Sequence, residues 1–197
     1  MDDTALVIAA QNGDREALRK LLAKHQDGIY ALIRRIVGND ADAYDATQEA
    51  LLAVVRGLPG FNRQSRFSTW VYRVASNAAV DQLRRNQRNP APSANLEDDY
   101  ANTIARQDAH TPSFYTAVED RLSIDQALQL ISHDFAMAVV LRDQLGFDYA
   151  EIGKILEIPI GTVRSRIARG RRELAQILGP LRHSGAEGTN ENHPTSN

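Results

Sequence analysis

Residues 147–174 read FDYAEIGKILEIPIGTVRSRIARGRREL, and this stretch decides the fold class. Its apolar residues Ile152, Ile155 and Leu156 recur at the three- and four-residue spacing of one helix face. A short turn at EIP, residues 157–159, comes next, and proline is tolerated in the first turn of the helix that follows. The stretch therefore predicts a helix-turn-helix.

The second helix of this motif is expected to have two unlike faces. Its apolar face holds Val163, Ile167, Gly170 and Leu174. The opposite face is rich in arginine, and such a face suits a DNA major groove; it holds Arg164, Ser165, Ala168, Arg169 and Arg172. The alternative is a charged helix that only faces solvent.

An earlier helix, RFSTWVYRVASNAAVDQLRR at residues 66–85, also has two sides. At 100° per residue, one side is small and apolar, with Val71, Ala75, Ala78, Ala79, Val80 and Leu83. The other side offers a ring for stacking, polar groups for base edges and guanidinium groups for phosphates: Trp70, Arg73, Asn77, Asp81 and Arg84. The alternative is a solvated helix whose tryptophan packs under a neighbour.

The charges are segregated along the chain, although the net charge is only -2. Residues 63–88 hold six arginines and one acid, and residues 160–172 hold five arginines and no acid. Residues 89–120 hold six acids and one arginine. Local basic blocks of this kind are typical of nucleic-acid-binding surfaces.

The remaining sequence predicts an all-α protein of two small helical domains joined by a flexible acidic linker. Helical spacing covers 4–37, about 41–56 and about 67–88, and resumes at 121. We expect a first domain at 1–89, a linker at 90–120, a second domain at 121–179 and a disordered polar tail at 180–197.

Several classes of function are excluded by composition. The chain has no cysteine, and its five histidines lack metal-ligand spacing, so we expect no metal site and no cofactor. We find no nucleophile constellation and predict that the protein is not an enzyme. With no signal-peptide pattern and no apolar run that could span a membrane, the sequence predicts a soluble cytoplasmic protein.

The two arginine-bearing blocks together resemble the bacterial extracytoplasmic-function (group 4) sigma factors of the sigma-70 family. Residues 45–85, which begin DATQEALLAVVRGLPGF, look like region 2, and residues 148–174 look like region 4.2. The resemblance covers nearly all of residues 4–178. It implies a promoter-specificity subunit that binds core RNA polymerase and promoter DNA. The alternative is a stand-alone helix-turn-helix regulator, which would leave the DATQE segment unexplained.

The resemblance also implies roles for particular residues. Asp45, Gln48 and Glu49 match the motif that binds the clamp helices of the largest polymerase subunit, and the flap of the second-largest subunit is a further expected contact. An anti-sigma factor is an additional candidate partner.

The pocket loop and helix expected to bind and melt the minus 10 element hold Asn62, Arg63, Ser65, Arg66, Phe67, Ser68, Trp70, Arg73, Asn77, Asp81, Arg84 and Arg85. Trp70 is either a core residue or a wedge between the strands. The residues expected to read the minus 35 element are Thr162, Arg164, Ser165, Ala168, Arg169 and Arg172.

Overall fold

The computed structural model describes residues 3–88 and 124–183, with side chains as far as Gly179. The regular elements in these ranges are helical. Before the gap they are α1 (Thr4–Gln11), α2 (Arg15–Val37), α3 (Asp40–Gly57), a 3₁₀ turn (Leu58–Gly60) and α4 (Phe67–Arg88). After it come α5 (124–130), α6 (His133–Val139) with a π-helical continuation (Val140–Gln144), α7 (Tyr149–Leu156) and α8 (Ile160–His183).

Side-chain caps fix where the first helices begin. The Asp14 carboxylate accepts hydrogen bonds from the backbone N–H groups of Glu16 and Ala17 at 2.9 and 3.0 Å, which starts α2. Gly38 ends α2 at φ 96°, a conformation that favours glycine, and Asn39 caps α3. The break predicted at residues 38–40 therefore consists of Gly38, which ends α2, and Asn39, which caps the start of α3.

The core of the N-terminal half lies between α2, α3 and α4. The last of these helices presents small residues to the other two, and Ala75 and Ala79 are fully buried. Small side chains let helix axes approach closely. The larger residues that fill the remaining space, each at most 1 % exposed, are Leu21, Ile29, Leu32, Ile33, Val54 and Val71.

The C-terminal half contains the predicted helix-turn-helix. Asp148 and Glu151 form a reciprocal capping box that starts α7. The turn places Glu157 at φ 55°, and the N–H of Ile158 donates to the carbonyl of Gly153 at 3.0 Å. A Cβ at Gly153 would lie 3.0 Å from the Ile158 carbonyl oxygen, so a larger residue at this position would crowd the turn.

The all-α fold and the helix positions predicted from the sequence are confirmed in the described ranges. One boundary differs, because α8 continues to His183, past the Gly179–Pro180 step where we expected the tail to begin. The expected linker at 90–120 and the rest of the tail, from 184 onward, lie outside the described residues.

The two halves also pack against each other, which the expectation of two domains on a tether did not include. Helix α4 lies against α7, and the Tyr72 and Phe147 rings meet edge to face with centroids 5.0 Å apart. Buried residues from both halves form one continuous hydrophobic cluster.

Candidate nucleic-acid interface

The polar face of α8 is open to solvent. Val163 and Ile167 are buried beneath it at 0 and 2 % exposure, and they fix the rotation of the helix. The outward residues Arg164, Ser165, Ala168, Arg169 and Arg172 are all exposed. Thr162 is half-buried, and its carbonyl accepts a hydrogen bond from the Ser165 hydroxyl at 2.9 Å. The structure thus places the residues expected to read the minus 35 element on one accessible face.

The five arginines at residues 160–172 of α8 fall into two groups. Arg166 donates to Asp134 at 2.6 Å, and Arg171 donates to Asp143 at 2.9 Å, so these two hold α8 against the α6 segment. Arg164, Arg169 and Arg172 form no ion pair with a described residue. The Arg164 guanidinium carbon lies 5.8 Å from the centroid of the Tyr149 ring, a cation–π distance. Three cations therefore remain available to an anion on the outer face.

The loop before α4 holds the first residues expected at the minus 10 element. Asn62, Arg63 and Arg66 are exposed, whereas Ser65 and Ser68 are half-buried. The Asn62 side-chain oxygen accepts a hydrogen bond from the N–H of Gln64 at 3.1 Å, which tightens the loop. Arg63 has φ 61°, a left-handed conformation that side chains rarely adopt.

An aromatic cluster lies beneath this loop. Phe67 is 5 % exposed, and its ring packs against Phe61 and His25. Trp70 is half-buried and stacks on Phe61 at 5.0 Å. A Cβ at Gly57 would lie 2.9 Å from the Trp70 ring, so the indole occupies space that the glycine leaves. Trp70 thus belongs to the edge of the core and still lines the surface.

The polar face of α4 is exposed but differs from that of α8, because three of its four arginines already bond a carboxylate. Asn77, Asp81, Arg84 and Arg85 are exposed, and Arg73 is half-buried. Arg84 bonds Asp81 at 3.3 Å, and Arg85 bonds both carboxylate oxygens of Glu49 at 2.7 and 2.6 Å. Arg66 bonds Glu151 at 3.0 Å, and Arg73 bonds Glu157 at 3.2 Å.

The Glu49–Arg85 pair joins the α3 surface to the α4 surface, two surfaces that the sequence analysis assigned to different partners. Hydrogen bonding to Arg85 lowers the pKa of Glu49, so the glutamate is ionised at neutral pH. The same contact raises the pKa of Arg85, which the charges of Asp81 and Asp45 also favour. Helix α3 and the end of α4 are therefore linked by a two-pronged charged hydrogen bond.

The outer face of α3 carries the residues expected to bind polymerase. Asp45, Gln48 and Glu49 are exposed, and Ala43, Ala46 and Ala50 are buried behind them. Beside the acids lies an apolar stripe that the sequence reading missed: Tyr44, Leu52 and Val55, which are 60, 55 and 36 % exposed. The sequence does contain a signal for this stripe, because helical spacing places these three residues opposite the buried alanines. Exposed apolar groups beside charges are typical of a protein-binding surface.

Among residues 3–88 and 124–183 we find no cluster of three or more histidines, aspartates or glutamates that could hold a metal ion. No helix in those two ranges is both long and apolar enough to cross a membrane.

Comparison with known families matches both halves of the chain. The family model described as Sigma-70 region 2 matches residues 21–89, and the model described as Sigma-70, region 4 matches residues 121–174. These ranges contain the α3 and α4 surfaces and the helix-turn-helix, respectively.

Curated relatives align over almost the whole chain. The RNA polymerase sigma-H factor of Pseudomonas aeruginosa is 35% identical over 184 residues, which cover 91% of this chain and 95% of the relative. The ECF RNA polymerase sigma-E factor of Escherichia coli is 32% identical over 186 residues, covering 92% and 96%.

Solved structures share the fold. CnrH, in a complex with the cytosolic domain of CnrY, superposes with a TM-score of 0.68 at 20% identity, covering 90% of this chain and 97% of CnrH. The sigma factor RpoE of Bartonella quintana, in a complex with the anti-sigma factor NepR, has a TM-score of 0.64 at 22% identity, covering 82% and 96%. The family models and the curated relatives establish that the chain belongs to the ECF group of sigma-70 family sigma factors.

Proposed function

We propose that the chain divides promoter-directed initiation among three surfaces: α3 binds core RNA polymerase, α8 reads the minus 35 duplex, and α4 with its preceding loop binds the melted minus 10 strand. One observation carries the proposal. The same chain presents two arginine faces on separate helices and a third face of acids and apolar groups. A stand-alone helix-turn-helix regulator would need only α8.

The α3 face is suited to a protein partner and not to DNA. Its Asp45 and Glu49 carboxylates would be repelled by phosphates. Leu52 and Tyr44 are more than half exposed, and burial of such groups against a partner is favourable. We assign core-polymerase docking to Asp45, Gln48 and Glu49, and we add Tyr44, Leu52 and Val55 to the same surface.

The α8 face is suited to duplex DNA. Its three unpaired arginines can each contact a phosphate or the edge of a guanine, and Ser165 adds a hydroxyl. Ala168 is small and apolar at the centre of the face, where it can contact a thymine methyl group. A helix anchored from behind by Val163 and Ile167 keeps these groups in a fixed register.

The α4 surface is suited to an unpaired strand. Extrusion of a base costs a few kcal/mol of stacking, which protein contacts must offset. The Trp70 edge and the loop at 62–66 provide a concave site with a ring, amides and hydroxyls. Asn77 and the arginines of α4 continue away from that site along a path for the backbone.

Two further assignments follow from this role. The chain acts without catalytic chemistry of its own, in the cytoplasm, where its polymerase works. CnrH and the Bartonella quintana sigma factor were each solved with a bound protein, the latter an anti-sigma factor, so a regulator of that kind is a candidate partner for this chain as well.

The proposal is tested by transcription in vitro with core polymerase, genomic DNA fragments and this protein. We expect transcripts whose 5′ ends share upstream sequences near minus 10 and minus 35 and which core alone does not make. A chain that binds DNA but neither binds core nor changes where transcripts begin would contradict the proposal and support the stand-alone regulator.

Core docking has its own matched test. Asp45→Ala with Gln48→Ala is expected to weaken core binding in a pull-down, because both side chains are exposed on the assigned face. Asp27→Ala on α2 is the control, since it also removes one exposed carboxylate but lies on another helix. Equal retention of core by all three proteins would contradict the α3 assignment.

A further inference from the structure

Helix α1 carries no residue of the three surfaces assigned above, yet both of its ends are tied to other parts of the N-terminal half. Asp3, the residue before its first turn, bonds α2, and Gln11, its last residue, bonds the segment between α3 and α4. Followed through their partners, these two contacts reach the residues directly before and directly after the loop at 62–66. That loop is assigned to the minus 10 strand.

Gln11 holds the entry to the loop. Its side-chain Nε2 donates hydrogen bonds to two backbone carbonyls, that of Leu58 at 2.9 Å and that of Phe61 at 2.8 Å. These carbonyls belong to the first residue of the 3₁₀ turn and to the residue after the turn. Phe61 directly precedes Asn62, the first residue of the loop. Gln11 therefore fixes the point at which the loop leaves the core.

The exit of the loop is held through His25. The His25 Nε2 lies 2.8 Å from an Asp3 carboxylate oxygen, and the two side chains are only 10 and 11 % exposed. The imidazole packs on Phe67 with ring centroids 5.4 Å apart, and Phe67 starts α4 directly after the loop. Asp3 thus holds the imidazole in one orientation, and the imidazole supports the residue at which the loop ends.

The loop backbone needs such support. Arg63 has φ 61°, a left-handed conformation that is unfavourable for a residue with a side chain. A conformation of this kind persists only where the surrounding structure fixes it. The Asn62 side chain contributes by accepting a hydrogen bond from the N–H of Gln64 at 3.1 Å, and the two ends of the loop are fixed by α1 and His25.

The same contacts reach the concave site through the aromatic cluster. The Phe61 ring stacks on Trp70 with centroids 5.0 Å apart and meets Phe67 edge to face at 5.8 Å. Trp70 and the loop line the site that is assigned to the extruded base. A binding site can reject a wrong group only when its walls keep their positions. A shift of Phe61 would therefore change the site in which bases are told apart.

We propose that Gln11 is a positioning residue for the minus 10 pocket. It makes no contact with DNA, but by holding the carbonyls of Leu58 and Phe61 it keeps the loop at 62–66 in the shape that discriminates among extruded bases. Asp3 and His25 do the same at the other end of the loop. This inference rests on the minus 10 surface proposed above and adds the residues that maintain its specificity.

The single tryptophan of the chain reports the state of the loop without DNA. Gln11→Leu keeps a side chain of similar size and removes both hydrogen bonds, so the stack of Phe61 on Trp70 should loosen. We expect acrylamide to quench the fluorescence of the free variant more strongly than that of the wild type, at a temperature at which both are folded. Gln26→Leu, the same change at an exposed position of α2, should match the wild type.

Wild-type quenching in Gln11→Leu would overturn the proposal, whatever the protein does in transcription. Stronger quenching in both leucine variants would also overturn it, because the effect would then not depend on the two carbonyl contacts.

Base discrimination tests the consequence. Holoenzyme made with each variant is titrated with a single-stranded minus 10 oligonucleotide from a promoter found by transcription in vitro, and with oligonucleotides in which one base at a time is replaced. At the base whose replacement weakens wild-type binding most, the ratio of the two affinities should fall about fivefold in Gln11→Leu, roughly the equivalent of one hydrogen bond. This ratio does not depend on the fraction of protein that is folded, so general destabilisation cannot lower it.

Two further variants sharpen this measurement. Gln11→Glu keeps the shape of the side chain but places an acceptor without a donor against two carbonyl oxygens, so the ratio should fall at least as far as with leucine. Asp3→Ala acts at the other end of the loop and should lower the ratio by a smaller factor, because His25 still packs on Phe67. Affinity for a minus 35 duplex should stay at the wild-type value in all three variants.

The outcomes separate this inference from the function on which it rests. If the wild type discriminates among bases and both Gln11 variants keep the wild-type ratio, Gln11 does not position the pocket and the proposal is overturned. A wild-type holoenzyme without any base preference on single strands would contradict the minus 10 surface itself. The quenching of Trp70 would still decide whether Gln11 holds the loop.

Discussion

The α4 and α8 surfaces carry similar residues in different surroundings. Both display arginines, but Arg66 of the loop and Arg73, Arg84 and Arg85 of α4 each bond a carboxylate, whereas Arg164, Arg169 and Arg172 pair with no described acid. Three of the four acids on the α4 side come from outside α4, in α3, in α7 and in the turn after α7. A basic block in the sequence therefore shows where the arginines are. It does not show whether a carboxylate already pairs with them.

This difference suggests different energetics for the two promoter contacts. The α8 face can bind duplex DNA without losing an internal contact. At Arg66, Arg73, Arg84 and Arg85 a phosphate must replace an internal carboxylate, so part of the binding energy of this surface replaces existing bonds. We expect single arginines to supply a large part of the binding energy at minus 35. At minus 10 we expect the binding energy to be divided among many groups.

The largest effect is expected on the α8 surface. Arg164→Ala and Arg169→Ala should each weaken binding to a minus 35 duplex by about 1–3 kcal/mol if the side chain reads a base, or lower the salt slope by about one if it contacts only phosphate. Salt titrations of duplex affinity separate these outcomes.

Arg171→Ala is the matched control, because Arg171 lies on the same helix but is held by Asp143. We expect it to change duplex affinity much less. Equal losses in all three variants would mean that α8 attracts DNA through total charge and has no reading face.

A Cβ added at two glycines of α8 should have opposite effects on stability. A Cβ at Gly170 would lie 2.7 Å from a Val139 methyl and 3.2 Å from the Phe135 carbonyl oxygen, so Gly170→Ala must push α8 from α6. We expect it to lower the free energy of unfolding by about 1–3 kcal/mol. Gly161→Ala, where a Cβ meets nothing, should be neutral or stabilising. Thermal unfolding of both variants measures this, and equal melting temperatures would contradict the packing of α8.

A smaller effect is expected on the α4 surface. Asn77→Ala and Asp81→Ala should each reduce open-complex formation by about 1 kcal/mol, since each removes one polar contact among many. A template with a pre-melted minus 10 bubble should rescue a variant that fails only to open the strands, whereas one that lacks a base contact should stay weak. If both variants keep wild-type activity on linear duplex at limiting protein, the polar face of α4 does not contact DNA and α4 is only a solvated helix.

The smallest effect concerns pH. Arg85 holds the pKa of Glu49 below its ordinary value, so this pair stabilises the fold above roughly pH 4.3 and its contribution is lost as the pH falls further. Because both side chains are about half exposed, solvent screening limits the contribution to less than about 1 kcal/mol.

Acid unfolding should therefore show Glu49→Gln less stable than wild type near neutral pH and equal to it in strong acid. Asp45→Asn, which removes a neighbouring carboxylate that bonds no described residue, is the control. A difference between Glu49→Gln and wild type that grows as the pH falls would contradict the sign.

Local pattern was enough to predict the helices and their inward faces. The break at residues 38–40, the break that follows residue 56 and the EIP turn all depend on neighbouring residues. The burial of Val163, Ile167, Ala75 and Ala79 follows from helical spacing. Each of these features depends on residues within a few positions of one another.

What the sequence did not reveal depends on distant residues. The resemblance assigned Phe67 to the minus 10 element, but it did not reveal that the ring packs against Phe61 and His25. The Arg66–Glu151 and Arg73–Glu157 pairs join residues 85 and 84 positions apart, and no local period predicts them. Helical spacing indicates which side of a helix faces outward, but only the tertiary fold determines what that side meets.

The assignment of the two surfaces to two promoter elements can be measured directly with single cysteines. Gln87→Cys near the end of α4 and Ser165→Cys on α8 replace exposed residues, and each gives a chain with one thiol, to which an iron chelate that cleaves nearby DNA can be attached. In complexes of core polymerase on one promoter, the label at 165 should cut near minus 35 and the label at 87 near minus 10. Cuts from both labels at the same element, or with the two positions exchanged, would contradict the account.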